Sequence, residues 1–247
     1  MSGHSHWATI KHQKQAKDAK KGAAFSKLAR ALMVSAREGG DNPDFNINLQ
    51  KLITEAKQAG MPMDRIENAI LKGAGKLPGQ TIESKNYEGK GAGGVMIIVE
   101  TATDNSNRTA MEIRKVFERN HGAMLSPGAA LNQFERKGFI LVDAAGTDEN
   151  AVTDAVIEAG GDDVQKGEEG YQITTSFKSF NTVYKALLAK KFNVKSAETP
   201  FLPLYDNYVQ ISDEDAKKVV RLLEELDDHD DVQNTHHNAK IPEALLK

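Results

Sequence analysis

The sequence predicts an α+β, multidomain fold: an N-terminal helical bundle followed by ferredoxin-like α/β structure, read as two ferredoxin-like α/β domains with the third domain inserted in the second if the last helix and strand complete the earlier, interrupted unit. Three observations predict it. Apolar residues repeat at helical spacing from the N-terminal part to about Lys76. A glycine-rich stretch, Gly75–Gly94, then separates a basic region from an acidic one. Beyond it, buried-strand runs alternate with amphipathic helices. The chain has 247 residues, with 39% hydrophobic and 27% charged residues, enough for a globular protein of one to three domains.

Phe25, Leu28, Ala29, Leu32, Met33 and Ala36 form one apolar helical stripe, which Gly39-Gly40 stops. Leu49, Leu52, Ile53 and Ala56 repeat the pattern up to Gly60. Pro62 stands in the first turn of a third helix carrying Ile66, Ala69 and Ile70. Val95–Val99 reads as a buried strand, and Thr103, Asp104 or Asn105 can cap a helix bearing Ala110, Ile113, Val116 and Phe117. A strand is expected around Ala129–Phe134. From Gly138 to Thr199 the order is strand, helix, strand, helix, strand, with Gly161–Val164 a candidate extra strand, which suggests a βαββαβ unit. Helix Asp213–Leu226 and strand Val232–His236 can complete the interrupted unit around Val95–Phe134, and the middle unit is an insertion if they do. The boundaries so drawn are 1–76, then 77–135 with 206–240, and 136–205.

Composition removes several functions. With no cysteine, the chain has no disulfide framework, iron–sulfur cluster, cysteine zinc site or thiol nucleophile. No apolar run approaches the roughly 20 residues of a membrane helix, so no membrane partner is expected. The N-terminal sequence lacks a signal-peptide pattern, and the expected compartment is the cytoplasm. Gly89-Lys90-Gly91-Ala92-Gly93-Gly94 precedes a strand, whereas a phosphate loop follows one, and Lys90 is not followed by Ser or Thr. Adjacent His236 and His237 on a strand point to opposite faces, and the acidic run 227–231 lacks calcium-loop spacing. No nucleophile elbow is present. A non-enzyme without metal, cofactor or small-molecule substrate is the reading.

Charge carries the positive signal. Residues 1–76 hold 13 Lys+Arg against 7 Asp+Glu, a net of +6, while the remainder holds 19 against 28, a net of −9. Lys14, Lys17 and Lys21 share one helical face, Lys20 lies beside them, and Lys27, Arg30 and Arg37 continue opposite the apolar stripe. Such a row suits a phosphate backbone and positions without reading sequence. A solvated lysine-rich face is the plainer alternative, and Trp7 can stack on a base or anchor the arm to the bundle.

The segment Met1-Ser2-Gly3-His4-Ser5-His6-Trp7-Ala8-Thr9-Ile10-Lys11-His12-Gln13-Lys14 resembles the opening of the YebC/PmpR family. The resemblance continues through Asp18–Gly22, Phe25–Leu28, Gly60-Met61-Pro62, Ile70-Leu71-Lys72-Gly73, Thr103–Thr109, Phe134–Gly138 and Asp230–Asn234. The family more often has Lys at His6 and Val-Tyr at Thr235-His236. It includes bacterial proteins named as transcriptional regulators and the mitochondrial translational activator of cytochrome c oxidase. The resemblance implies three domains, the third inserted in the second, and a non-enzymatic role in gene expression. It carries over Lys11, His12, Lys14, Lys20 and Lys21 as nucleic-acid contacts, and the charge pattern adds Lys17, Lys27 and Arg30. Expected partners are ribosomal RNA or DNA. The first reading is a translation factor on the large ribosomal subunit, because a lysine-rich arm suits RNA shape and charge. The alternative is a DNA-binding transcriptional regulator, which needs a helix presenting a row of base-reading side chains.

Overall fold

The computed structural model describes residues 21–79, 81–167, 169–204 and 207–242, with side chains from residue 24 onward. Lys11, His12, Lys14, Lys17, Lys20 and Trp7 lie outside the described residues. The fold is mixed α/β with several sheets and divides into two compact units, residues 1–133 with 203–247, and residues 134–202.

The first unit begins with three helices: α1 (Lys21–Gly39), α2 (Ile47–Gln58) and α3 (Met63–Gly73). The apolar stripe turns inward, so that Leu32, Ala36, Leu49, Ala56, Met61, Ile66 and Ala69 form one core with Phe25, Leu28 and Met33 at its margin. Asn46 joins the first two helices. Its Oδ1 accepts from Leu49 N at 3.0 Å as the cap of α2, and its Nδ2 donates to the carbonyls of Ser35 and Gly40, both at 2.7 Å. Gly73 brings α3 onto α1, because a Cβ there would overlap the Met33 carbonyl.

A four-stranded sheet follows, in the order β10-β2-β1-β3, from β1 (Glu83–Lys90), β2 (Met96–Thr103), β3 (Ala123–Met124) and β10 (Val232–His237). Helices α4 (Ser106–Arg119) and α7 (Asp213–Asp227) contribute Ile113, Val116, Phe117, Val219, Leu222 and Leu226 to one core with Tyr87, Ile97, Val99 and Val232 of the sheet. Asn105 is the cap of α4, accepting from Arg108 N at 3.1 Å. Ser212 caps α7, whose first turn holds Asp213, Glu214 and Asp215, the favourable sign at a helix N-terminus. Strand β10 pairs antiparallel with β2, Thr235 opposite Val99, so the C-terminal segment does complete the sheet begun at residue 83. Two further short strands, β9 (Val209–Gln210) and β11 (Ala239–Lys240), pair in parallel.

The second unit has β4 (Phe134–Val142), α5 (Glu149–Glu158), β5 (Asp163–Gly167), β6 (Gly170–Ser176), α6 (Phe180–Ala189) and β7 (Val194–Glu198), with β8 (Phe201–Pro203) beside β4. The sheet order is β5-β6-β4-β7 and every one of these pairings is antiparallel. Ile140, Val142, Val152, Val156, Ile173, Val183, Leu187 and Ala197 are its buried centre.

Two expectations need correction. The stretch Gly75–Gly94 is not all linker, because residues 83–90 form β1, paired in full register with β2 from Glu83 opposite Thr103 to Lys90 opposite Met96. Its glycines suggest a loop, but Gly89 is there to fit beneath the buried Phe117 ring, which a Cβ would overlap. The strand expected at Ala129–Phe134 is instead a turn of 3-10 helix at Leu131–Gln133, and the strand runs unbroken from Phe134 to Val142. Phe117 is fully buried and has no room to move. Gly89→Ala is therefore expected to destabilise the protein by about 1–3 kcal/mol, the usual range for overpacking, read as a lower urea midpoint.

Candidate nucleic-acid interface

The charged row predicted on the first helix is split by the structure. Lys21 opens α1, and its side chain is outside the described set. Lys27 and Arg30 are described, and both turn toward the residues between α7 and β10. Lys27 Nζ donates to the Asp227 carbonyl. Arg30 Nη1 donates to the Asp230 carbonyl at 2.7 Å, and its Nη2 stands 3.4 Å from Asp231 Oδ1. The helix that the sequence aims at a partner thus uses two of its cations to hold the rest of its own unit.

Asp231 is the centre of that contact. It is 2% exposed, and its Oδ2 accepts from Thr109 Oγ1 at 2.7 Å and from Arg108 Nη2 at 3.0 Å. Arg108 also reaches Asp104 at 2.8 Å, and Thr109 lies 2.7 Å from Thr103 Oγ1. Burial pushes the Asp231 carboxyl up, but the Thr109 and Arg108 hydrogen bonds and the Arg30 charge outweigh it and hold it below the usual carboxylate range. Segments 103–109 and 230–234, which the sequence shows only as separate motifs, form one site together with Arg30.

Glu112, His229 and Asp231 place possible ligand atoms within 4.8 Å of one another. Those atoms are engaged already. His229 Nε2 lies 3.0 Å from Glu112 Oε2, and His229 Nδ1 accepts from Asp231 N at 3.1 Å. Nδ1 is then an acceptor and Nε2 the donor toward Glu112. The group serves as a cross-link between α4 and the turn before β10.

A second buried carboxylate fixes the loop after β3. Glu88, 6% exposed, accepts from the main-chain N–H groups of Gly128 at 2.5 Å, Ala130 at 2.6 Å and Leu131 at 2.8 Å. Burial raises its pKa, and the three N–H groups together more than reverse this, holding it below the ordinary value.

Outside these contacts, α3 presents a row that the sequence reading missed. Arg65, Asn68 and Lys72 stand at i, i+3 and i+7 and are all exposed. With Ala29, Met33, Met61 and Ala69 they line an open groove of about 380 Å³ between α1 and α3. The spacing was legible, but the apolar stripe on α3 draws attention to the buried side.

Family models match both parts of the chain: the TACO1/YebC protein N-terminal domain over residues 5–76, and the TACO1/YebC second and third domain over residues 82–239. The chain belongs to the TACO1/YebC family. Among its relatives, a "Probable transcriptional regulatory protein" of Dictyoglomus turgidum is 44% identical over 248 residues, covering 100% of this chain and 99% of that one. One of the same name from Treponema pallidum is 42% identical, covering 100% of both chains. The crystal structure of a conserved hypothetical protein, Aq1575 of Aquifex aeolicus, superposes with a TM-score of 0.80 at 41% identity, covering 94% of this chain and 96% of that one. In this TACO1/YebC-family chain the motif segments 103–109 and 230–234 meet at Asp231, while Met61 and Lys72, from two further motif segments, meet in the α1–α3 groove.

Two outcomes follow for stability. Asp231→Asn leaves Arg30 and Arg108 beside a neutral amide, and Arg108 is 42% exposed, so solvent softens the loss; a fall of about 2 kcal/mol in urea unfolding is expected. An unchanged midpoint would remove the carboxylate from the account of how α1 is held. Glu88 and Asp231 both have depressed folded pKa values, so the stability they contribute is present above the unfolded carboxylate value, about 4, and is lost as pH falls through the folded values. Unfolding free energy measured from pH 7 to pH 3 is expected to fall below about pH 4, less steeply in Glu88→Gln than in the wild type.

Proposed function

We propose that this chain is a regulator of transcription of the YebC type, acting without catalysis or cofactor, that takes DNA through its basic N-terminal part. The observation that carries this reading is identity of 41–44% along the whole chain to relatives named as transcriptional regulatory proteins. The charge division supports it, with a net of +6 over residues 1–76 against −9 over the rest. In this reading Lys11, His12, Lys14, Lys17, Lys20 and Lys21 form the arm that meets phosphates. Lys27 and Arg30 hold the arm's helix at a fixed angle to the α4 and α7 layer. The acidic α/β parts are ferredoxin-like, the one at 136–205 inserted in the other, and their net negative charge makes them poor partners for phosphates. The protein works in the cytoplasm.

A second reading, a translation factor on the RNA of the large ribosomal subunit, is favoured by one observation. The exposed row of α3 lines a concave groove, and a concavity suits an unpaired nucleotide, the form in which RNA is read. A duplex offers no such projecting base.

One pair of experiments decides between them. Tagged protein and a variant with Lys11, Lys14, Lys20 and Lys21 changed to Glu are compared by genome-wide DNA occupancy and by sedimentation at low and raised salt. Discrete occupied promoters, lost in the variant, are the expected result. Salt-sensitive comigration with the large ribosomal subunit, lost in the variant, with no occupied promoters, would move the role to translation. Nucleic-acid association that survives charge reversal would remove the arm as the interface.

A further inference from the structure

We infer that Phe45, held out on the turn between α1 and α2, is the docking point for a protein partner that offers an apolar pocket with a lysine- or arginine-lined rim. The inference goes beyond the nucleic-acid reading above and does not depend on which nucleic acid the arm takes.

Phe45 is 81% exposed, more than any other large apolar residue among the described ones. Its place in the chain offers a packing partner that it does not use. Asn46 is the cap of α2, so Phe45 stands one position before the cap. An apolar residue there commonly packs on the fourth residue of the helix and fixes how the chain enters it. In α2 that fourth residue is Gln50, which is polar and exposed. The ring is also absent from the core that Leu32, Leu49 and Ile66 build between the helices.

The backbone beneath the ring is fixed nonetheless. Phe45 N and Asn46 N both donate to the Asn42 carbonyl, at 3.1 and 3.0 Å, and Asp44 N donates to Asn42 Oδ1 at 2.9 Å. Pro43 removes one further torsion from the turn. The Asn46 side chain ties the next position to the Ser35 and Gly40 carbonyls, and Lys76 Nζ holds Asp41 at 2.5 Å. An aromatic ring on a backbone ordered beforehand loses little freedom when it is bound, and that is what makes an anchor at an interface.

Charge selects the occupant. Glu38, in the last turn of α1, and Asp44 are exposed, and neither has an ion-pair partner among the described residues. The cations nearby in sequence and contact are engaged: Lys76 with Asp41, and Arg37 with the Ile82 carbonyl at 2.9 Å. A phosphate backbone would meet two open carboxylates here. A protein pocket with an apolar floor and a basic rim suits both the ring and the carboxylates. The turn is also remote from the point where the arm joins α1. That helix has 19 residues, about 28 Å at the usual rise, and Phe45 follows its far end. A partner on Phe45 therefore leaves the arm open to nucleic acid, and the basic end of the chain can join one to the other.

The test uses the full chain in living cells, with photoreactive benzoylphenylalanine in place of Phe45 and, as a control, in place of the exposed Lys57 near the far end of α2. A protein crosslinked from position 45 and not from position 57 is identified and purified. It is the partner if it binds the wild-type chain and binds Phe45→Ala about 30-fold more weakly, the loss typical of an anchor. Glu38→Lys/Asp44→Lys should bind it several-fold more weakly and lose the weakening that salt causes in the wild type. Phe45→Ala is expected to melt within about 2 °C of wild type, since its ring packs on nothing, and to bind duplex DNA as the wild type does. A larger fall in melting temperature places the ring inside the fold and overturns the proposal. A crosslink from position 45 to nucleic acid, to the arm or to a second copy of the chain gives the turn another occupant and overturns it too. So does a crosslinked protein that binds Phe45→Ala as well as wild type, or no crosslink above the control. The charge-reversal experiment on the arm decides the nucleic-acid reading separately.

Discussion

The carboxylate of Asp231 holds together three stretches of chain that are far apart in sequence. It is buried, and it meets Arg30 from α1, Arg108 and Thr109 from α4, and the turn that leads into β10. An ionised carboxylate out of water is tolerable only when hydrogen-bond donors surround it, and two guanidinium groups and a hydroxyl do so here. Because Lys27 and Arg30 also bind the carbonyls of Asp227 and Asp230, the end of α7 is fastened to α1 at several points along one face. The helix that continues from the basic arm therefore has a defined direction relative to the sheet of its unit. Carbonyls at the end of α7 are natural acceptors for these cations, since the last carbonyls of a helix lack intrahelical partners.

Glu88 does similar work by a different chemistry. Among the described residues no cation pairs with it; main-chain N–H groups of the loop at 128–131 supply the compensation. Three donors converging on one carboxylate make a loop conformation cooperative, because removing the charge frees all three at once. That loop leads directly into β4, where the second unit begins. The two buried carboxylates thus act within one unit: Asp231 where α1 meets the sheet layer, and Glu88 at the loop 128–131 that follows β3.

Much of the secondary structure was legible. The stripes at Phe25–Ala36, Leu49–Ala56 and Ile66–Ile70 are helices, and Asn105 is the cap among the three candidates at 103–105, since its side chain reaches Arg108 N. The strand at 232–236 pairs with β2 as the interrupted-unit reading anticipates. Composition misled at Gly75–Gly94, because glycine marks a loop in most sequences and here Gly89 marks a strand pressed against Phe117. Of the candidate contacts, Lys27 and Arg30 were found by their spacing, but spacing cannot show which polyanion a cation meets. In the structure the last carbonyl of α7, at Asp227, and the turn carbonyl of Asp230 take them.

The sequence by itself determined the family, the helical and strand periods, and the separation of a basic end from an acidic remainder, because these are properties of local order and of counted charge. Only the tertiary structure decided which side chains share a site. Asp231 lies 123 residues from Arg108 and about 200 from Arg30, and no period connects them. The groove of Arg65, Asn68 and Lys72 depends equally on how closely α1 and α3 approach, which Gly73 sets by lacking a side chain. Such contacts arise from packing, and packing is decided by what each surface meets once the chain has folded.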